Sequence, residues 1–135
     1  MERVLFALLL SLTLLSCSLD DGDKLYLEIV PVSAVEMPTA FRVDSITQIP
    51  ISYIRPTPCH EFSNFYYNSI GNERTVAVYC LTNGNQNCVP STDYEITVPL
   101  NFKPKEMGTY HFRFWIGENE NGVDQYIEHE ITVDH

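Results

Sequence analysis

The chain has 135 residues, 44% of them hydrophobic and 12% aromatic, and its 18 acidic and 8 basic side chains give a net charge of -10. This length fits one domain rather than two, and the apolar and aromatic content excludes a globally disordered chain. Because an acidic chain repels phosphate backbones, we expect no nucleic-acid partner.

The N-terminal segment is predicted to be a signal peptide. After Met1-Glu2-Arg3, residues 4–15 are apolar apart from Ser11 and Thr13. As a helix this run would be about 18 Å long, whereas the hydrocarbon core of a bilayer is roughly 30 Å thick. The pattern therefore favours a signal peptide over a transmembrane helix.

The apolar run ends at Leu14-Leu15-Ser16-Cys17, which resembles the lipobox of bacterial lipoproteins. The resemblance implies that residues 1–16 are removed and that Cys17 is acylated. Two or three acyl chains on one residue would anchor the protein firmly, which a single chain does not. The alternative is an ordinary secretory signal in which Cys17 has no special role.

Residues 17–23 are predicted to be a lipidated acidic tether between the membrane and the folded domain. Their sequence, Cys-Ser-Leu-Asp-Asp-Gly-Asp, is also similar to the acidic export signal of surface lipoproteins in the Bacteroidota. The resemblance implies a lipid-anchored protein of the bacterial outer membrane. It leaves both the periplasmic face and the cell-surface face open.

Residues 24–135 are predicted to form one β-rich domain. Eight prolines leave little room for a long helix before residue 105, and apolar residues alternate with a period of two, which is typical of strands. The alternating rows are Leu25, Leu27 and Ile29; Val76, Val78 and Cys80; Ile96, Val98, Leu100 and Phe102; Tyr110, Phe112, Phe114 and Ile116; and Ile127, His129, Ile131 and Val133. Turn-forming residues at 68–73 and 117–122 separate them. Seven or eight short antiparallel strands predict a two-sheet β-sandwich.

The segment Glu106-Met107-Gly108-Thr109-Tyr110-His111-Phe112 resembles the start of strand F in immunoglobulin-like domains. The resemblance covers mainly residues 94–133 and implies an immunoglobulin-like antiparallel β-sandwich. Gly108 and Tyr110 would form a tyrosine corner, in which the tyrosine hydroxyl bonds back to the chain before the strand. The sequence departs from antibody domains at Phe112, which stands where their disulfide cysteine would be.

Three further cysteines, Cys59, Cys80 and Cys88, would lie in an oxidising compartment. Cys80 continues the row of Val76 and Val78 and is expected to be a small core residue. Because loop cysteines at neighbouring strand ends pair more easily than a core cysteine, we expect a Cys59–Cys88 disulfide. A tight loop joining Cys80 to Cys88 is the alternative.

Outward-facing side chains on the last two predicted strands form a candidate binding face. If Phe112 and Phe114 point inward, their neighbours point outward, and one hairpin register gives three favourable cross-strand pairs. These pairs are Trp115 with Tyr126, Arg113 with Glu128, and His111 with Glu130. Such pairs stabilise the solvent face of a sheet, and the alternative interpretation is an exposed aromatic platform for a glycan or a protein.

A cluster of aromatic residues, Phe62, Phe65, Tyr66 and Tyr67, falls within one short predicted strand. Aromatic side chains on both faces would suit a central, partly covered strand. Large aromatic side chains are usually buried, so we expect the cluster to be part of the core.

No motif for catalysis or metal binding is apparent. Histidines 60, 111, 129 and 135 lack metal-ligand spacing, and the oxygen-rich residues 119–124 lack the full EF-hand pattern and predict a hairpin turn. There is no nucleophile elbow, glycine-rich phosphate loop or convincing carboxylate pair. We therefore predict no metal, no cofactor and no catalytic residue.

These features favour a membrane-anchored envelope lipoprotein that acts as a non-enzymatic binding or adhesion module. The alternative is a small cell-envelope hydrolase or sugar-processing enzyme, because a β-sandwich can carry many different functions.

Overall fold

A computed structural model describes residues 24–84 and 87–135 of the chain. Cys17, the predicted signal peptide and the predicted tether lie outside these residues. Within the described part the fold is all-β, and no helix there is long and apolar enough to cross a membrane. The strands are β1 (Leu25–Val30), β2 (Val32–Val35), β3 (Phe41–Arg42), β4 (Thr47–Ile54), β5 (His60–Ile70), β6 (Glu73–Asn83), β7 (Glu95–Phe102), β8 (Gly108–Glu118) and β9 (Asp124–Asp134).

The strands form two sheets, and β6 organises the larger one. One edge of β6 pairs with β5, while the other pairs with β8 over residues 73–76 and with β1 over residues 78–83. β9 and then β3 follow beyond β8. The smaller sheet has the order β2-β4-β7.

Inward side chains of the two sheets form one core, as expected of a β-sandwich. Phe102 of β7 lies 5.0 Å from Phe112 and 5.5 Å from Tyr110 between ring centroids, in edge-to-face geometry. The buried residues of the predicted inward rows of β6 and β7 belong to this core. His129 of β9 packs edge-on against Phe114. The predicted all-β sandwich is confirmed.

Two details of the sandwich differ from the expectation. The described residues contain nine strands rather than seven or eight, and two strand pairs, β6–β8 and β3–β9, run parallel. Immunoglobulin sheets are built from antiparallel strands. The parallel β6–β8 pair joins residues far apart in the chain, and therefore no local alternation pattern could indicate it.

Two of the alternating rows contain exposed residues. Leu25, Leu27 and Ile29 are 58%, 55% and 40% exposed, because they lie on the outer face of β1 while Val30 of that strand enters the core. Ile116 is 37% exposed, since it is the extra residue of a β-bulge between Trp115 and Gly117.

The aromatic strand β5 lies at an edge of the larger sheet rather than at its centre, since β6 is its sole partner in the described part of the chain. Phe62 and Phe65 face the core and lie 5.0 Å apart between ring centroids. Tyr66 and Tyr67 are 41% and 42% exposed. The expectation of a central strand was therefore wrong, and only half of the aromatic cluster is core.

The predicted disulfide joins Cys59 to Cys88, with 6.0 Å between their Cα atoms, and Cys80 is a free, fully buried thiol.

At the start of β8, the Tyr110 hydroxyl donates a hydrogen bond of 2.8 Å to the Glu106 carbonyl oxygen. This backward contact is the one that characterises a tyrosine corner.

Candidate functional site

The predicted candidate face lies on the outer side of the β8–β9 hairpin. The backbone register contains the three expected pairs: Trp115–Tyr126, Arg113–Glu128 and His111–Glu130. Tyr110, Phe112 and Phe114 are buried on the opposite side of β8. The register that gave favourable cross-strand pairs in the sequence is therefore the one observed.

Among the charged residues of the face, Arg113 lies against the ring of Tyr126. The Arg113 guanidinium carbon lies 4.0 Å from the centroid of the Tyr126 ring, which is cation–π geometry. Arg113 is also 3.4 Å from Glu73 and 3.5 Å from Glu128, measured between nitrogen and carboxylate oxygen. His111 lies 3.7 Å from Glu128 rather than forming an ion pair with its backbone partner. Exposed ion pairs contribute little stability, but Glu73 and Glu128 both hold the guanidinium that lies over the Tyr126 ring.

Trp115 and Tyr126 also line a groove of about 330 Å³ on the same outer face. Tyr66 of β5, Tyr79 of β6 and Ile29 of β1 contribute to the same groove. Sequence reasoning missed these three residues, because the strands that carry them are brought together only by non-local pairing. We call this site the aromatic groove.

The aromatic groove exists because β8 and β1 share one edge of β6. The last β6–β8 pair is Val76 with Phe114, and β1 begins pairing with β6 at Val78. Ala77, between these two pairings, lies in the groove lining. The bulge at Ile116 changes the register of β8 just beyond this point. The sheet therefore has an opening between two strands on its outer face.

The groove combines aromatic rings with carboxylates. Tyr66 and Tyr79 lie 6.3 Å apart at 82° between ring planes, and the Trp115 indole N–H donates a 2.9 Å hydrogen bond to Asp124. Glu118, the backbone partner of Asp124, also lines the groove. No lysine or arginine is among its lining residues. The groove therefore offers ring faces and hydrogen-bond acceptors in a negatively charged setting.

The described residues contain no group of three or more histidine, cysteine or acidic side chains that could hold a metal ion. In the hairpin turn at residues 119–124, the Asn119 side-chain oxygen accepts the N–H groups of Asn121 and Val123 at 2.9 and 3.0 Å. Gly122 adopts a positive φ of 72°. These are the contacts of a side-chain-stabilised turn, as the sequence predicted.

The buried Cys80 thiol and the buried Tyr53 phenol are both expected to be protonated and unreactive. Burial raises the pKa of Tyr53 to about 12, and the nearby Cys80 thiol acts in the same direction. Burial also raises the pKa of the Cys80 thiol. A thiol that is both inaccessible and protonated does not act as a nucleophile.

In comparisons with protein-family models, curated proteins and solved structures, none matches this chain. The chemistry of the aromatic groove is therefore the basis for inferring a function.

Proposed function

We propose that the protein is a membrane-anchored envelope lipoprotein that binds a glycan in the aromatic groove without transforming it. The lipobox-like Leu14-Leu15-Ser16-Cys17 supports lipid anchoring at Cys17. The observation that carries the binding proposal is the convergence of Tyr66, Tyr79, Trp115 and Tyr126 on one open groove.

A sugar matches the chemistry of this groove. The C–H faces of a sugar ring can pack against aromatic rings, while its hydroxyl groups can donate hydrogen bonds to Glu118 and Asp124. These carboxylates would repel an anionic ligand, since none of the described residues that line the groove is a lysine or an arginine. A volume of about 330 Å³ falls in the range of small-molecule sites and would accommodate part of a longer chain.

Binding can be tested with the protein purified in detergent, using a panel of neutral envelope glycans and isothermal titration calorimetry. We expect saturable binding that Trp115→Ala weakens about tenfold or more, as expected for an aromatic residue at the centre of a binding site. Tyr94→Ala is the matched control, because Tyr94 is 57% exposed and does not line the groove. Equal binding by Trp115→Ala and the parent protein would contradict the proposal, as would the absence of binding across the panel.

A sugar-processing enzyme is the second candidate, because Glu118 and Asp124 are cross-strand partners in the same groove. Glycoside hydrolysis commonly uses two carboxyl groups on either side of the scissile bond. Release of reducing sugar that disappears in both Glu118→Gln and Asp124→Asn would establish this activity and overturn the non-enzymatic proposal. Saturable binding without release would support the binding module.

Lipid anchoring is tested separately by metabolic labelling with a radioactive fatty acid. We expect label in the parent protein and none in Cys17→Ser. Equal labelling of both would contradict anchoring at this residue. Protease added to intact cells distinguishes the cell-surface face from the periplasmic face, since only a surface-exposed domain would be cleaved.

A further inference from the structure

A second cavity, of about 490 Å³, lies on the inner side of the β5–β6 hairpin. Tyr67 of β5, Arg74 of β6 and Asn101 of β7 line it, and the buried rings of Phe102 and Tyr110 contribute apolar surface. It does not overlap with the aromatic groove, because adjacent residues of β6 face opposite sides of the sheet. We call it the basic pocket, for the charges described next.

The basic pocket collects positive charge in an acidic protein. Arg74, Lys103 and Lys105 line it, out of the chain's 8 basic residues. In residues 24–84 and 87–135, none of these three forms an ion pair, although Glu106 is also among the lining residues. The neighbouring Glu73 carboxylate instead pairs with Arg113. No carboxylate among the described residues therefore pairs directly with any of these three cations.

Arg74 is held in place before any ligand arrives. Its Nη1 donates hydrogen bonds of 2.7 and 3.0 Å to the carbonyl oxygens of Gly71 and Glu73, and its guanidinium carbon lies 5.1 Å from the Tyr110 ring centroid. A guanidinium has five N–H donors, so donors remain for a ligand. This fixed geometry reduces the entropy lost on binding.

The two lysines project from a fixed stretch of backbone. Pro104 between them is fully buried, and its carbonyl oxygen accepts a 2.8 Å hydrogen bond from the Asp44 N–H. Lys103 and Lys105 are both exposed, on either side of this buried proline. Their ammonium groups can therefore reach a ligand beside Arg74 while the chain that carries them stays in place.

We propose that the basic pocket binds a phosphate monoester carried on a hydroxyl-rich small molecule. Arginine and lysine recognise such groups through short, charge-assisted hydrogen bonds. Three cations suit a group with more than one negative charge better than a single carboxylate. Polar Asn101 and Ser69 in the lining provide partners for hydroxyl groups, and a volume of about 490 Å³ exceeds that needed by a bare anion.

The test uses the detergent-purified protein and glucose 6-phosphate as the probe in calorimetry, with glucose and inorganic phosphate as comparisons. We expect saturable binding of the ester, weaker binding of phosphate and no binding of glucose that depends on Lys103 or Lys105. Lys103→Gln/Lys105→Gln should weaken binding of the ester about tenfold or more, and added salt should weaken it in the parent protein. Lys24→Gln/Arg42→Gln removes the same charge from residues that do not line the basic pocket and should bind as the parent does.

Lipid headgroups carry the same phosphoryl chemistry, so vesicles of phosphatidic acid in phosphatidylcholine form a second arm with the same two variants. Binding of the soluble ester identifies a small-molecule site. Binding to the vesicles alone would contradict a small-molecule ligand and show that the pocket binds a lipid headgroup. Equal binding by both double variants would contradict the proposal that the basic pocket is a binding site. No binding in either arm would contradict it as well. Trp115→Ala should leave binding of the ester unchanged, so failure here is distinguishable from failure of the aromatic groove.

Discussion

The carboxylate of Glu28 lies 2.7 Å from the Nε2 atom of His60, and this contact joins β1 to the start of β5. The other ring nitrogen, Nδ1, lies 2.7 Å from the Thr57 hydroxyl. The His60 side chain is only 8% exposed, whereas that of Glu28 is 51% exposed. A buried imidazole with both nitrogens hydrogen-bonded has a structural role rather than that of a metal ligand.

Replacement of His60 should destabilise the domain. His60→Ala removes two hydrogen bonds and leaves a cavity, and we expect the free energy of unfolding to fall by about 2 kcal/mol. Urea denaturation followed by circular dichroism would measure the change. His135→Ala, at an exposed position, is the control and should leave stability unchanged. Equal stability of the two variants would show that the His60 contacts contribute nothing.

The tyrosine corner should contribute a smaller amount. Tyr110→Phe removes only the hydroxyl that bonds to Glu106, so we expect a loss of about 1 kcal/mol in urea denaturation. Tyr94→Phe removes an exposed hydroxyl and is the matched control. An unchanged urea midpoint for Tyr110→Phe would mean that the hydrogen bond between Tyr110 and Glu106 contributes no net free energy to folding.

The disulfide should contribute more than either hydrogen bond. It links residues separated by 29 positions, and the chain-entropy treatment of such a loop gives about 3 to 4 kcal/mol. Cys59→Ser/Cys88→Ser should lower the free energy of unfolding by this amount. Peptide mapping without reduction should recover a Cys59–Cys88 peptide, and Cys80 should react with a thiol reagent only after denaturation. A Cys80–Cys88 peptide would contradict the structure.

Alkaline pH should destabilise the domain through its buried phenol. Burial raises the pKa of Tyr53 from 10.0 to about 12, so between these values the folded chain keeps a proton that the unfolded chain has lost. The contribution of Tyr53 to the free energy of unfolding is therefore retained below pH 10 and is lost as the pH rises toward 12. At pH 11 the free energy of unfolding should be lower by about 1 kcal/mol. Burial also raises the pKa of the Cys80 thiol, so its titration should lower stability at alkaline pH in the same way.

Urea denaturation of the parent protein and of Tyr53→Phe at pH 8 and pH 11 would test this dependence. The variant should lose less stability between the two pH values, because it lacks the titrating hydroxyl. The same decrease in both proteins would exclude Tyr53 as its source.

Local alternation predicted the seven longest strands except for their exact bounds, but it missed the short strands β2 and β3. Together with favourable cross-strand pairs, it also indicated the register of one hairpin. Trp115 and Tyr126 were correctly placed opposite each other because a short turn joins their strands and leaves few registers possible. The Cys59–Cys88 pairing followed from the exclusion of Cys80, whose place in an apolar row indicated burial.

The rest of the site depends on pairing between strands that are distant in sequence. Ile29 and Tyr79 approach Trp115 only because β1 and β8 share one edge of β6, a relationship that leaves no periodic signal in any of the three strands. The same applies to the basic pocket, where Arg74 meets Lys103 and Lys105 from another part of the chain. Alternation shows which face a side chain occupies, but not which neighbouring strand it meets there.

The attachment of β1 to β6 also determines how the domain would respond to mechanical force. A pull on the chain ahead of Lys24, directed away from the sheet, loads the β1–β6 backbone pairs one after another, beginning with Leu25 and Asn83. The contact between Glu28 and His60 resists this peeling part-way along the strand. Ile29 comes next in the series, so the aromatic groove keeps its wall until β1 is almost detached.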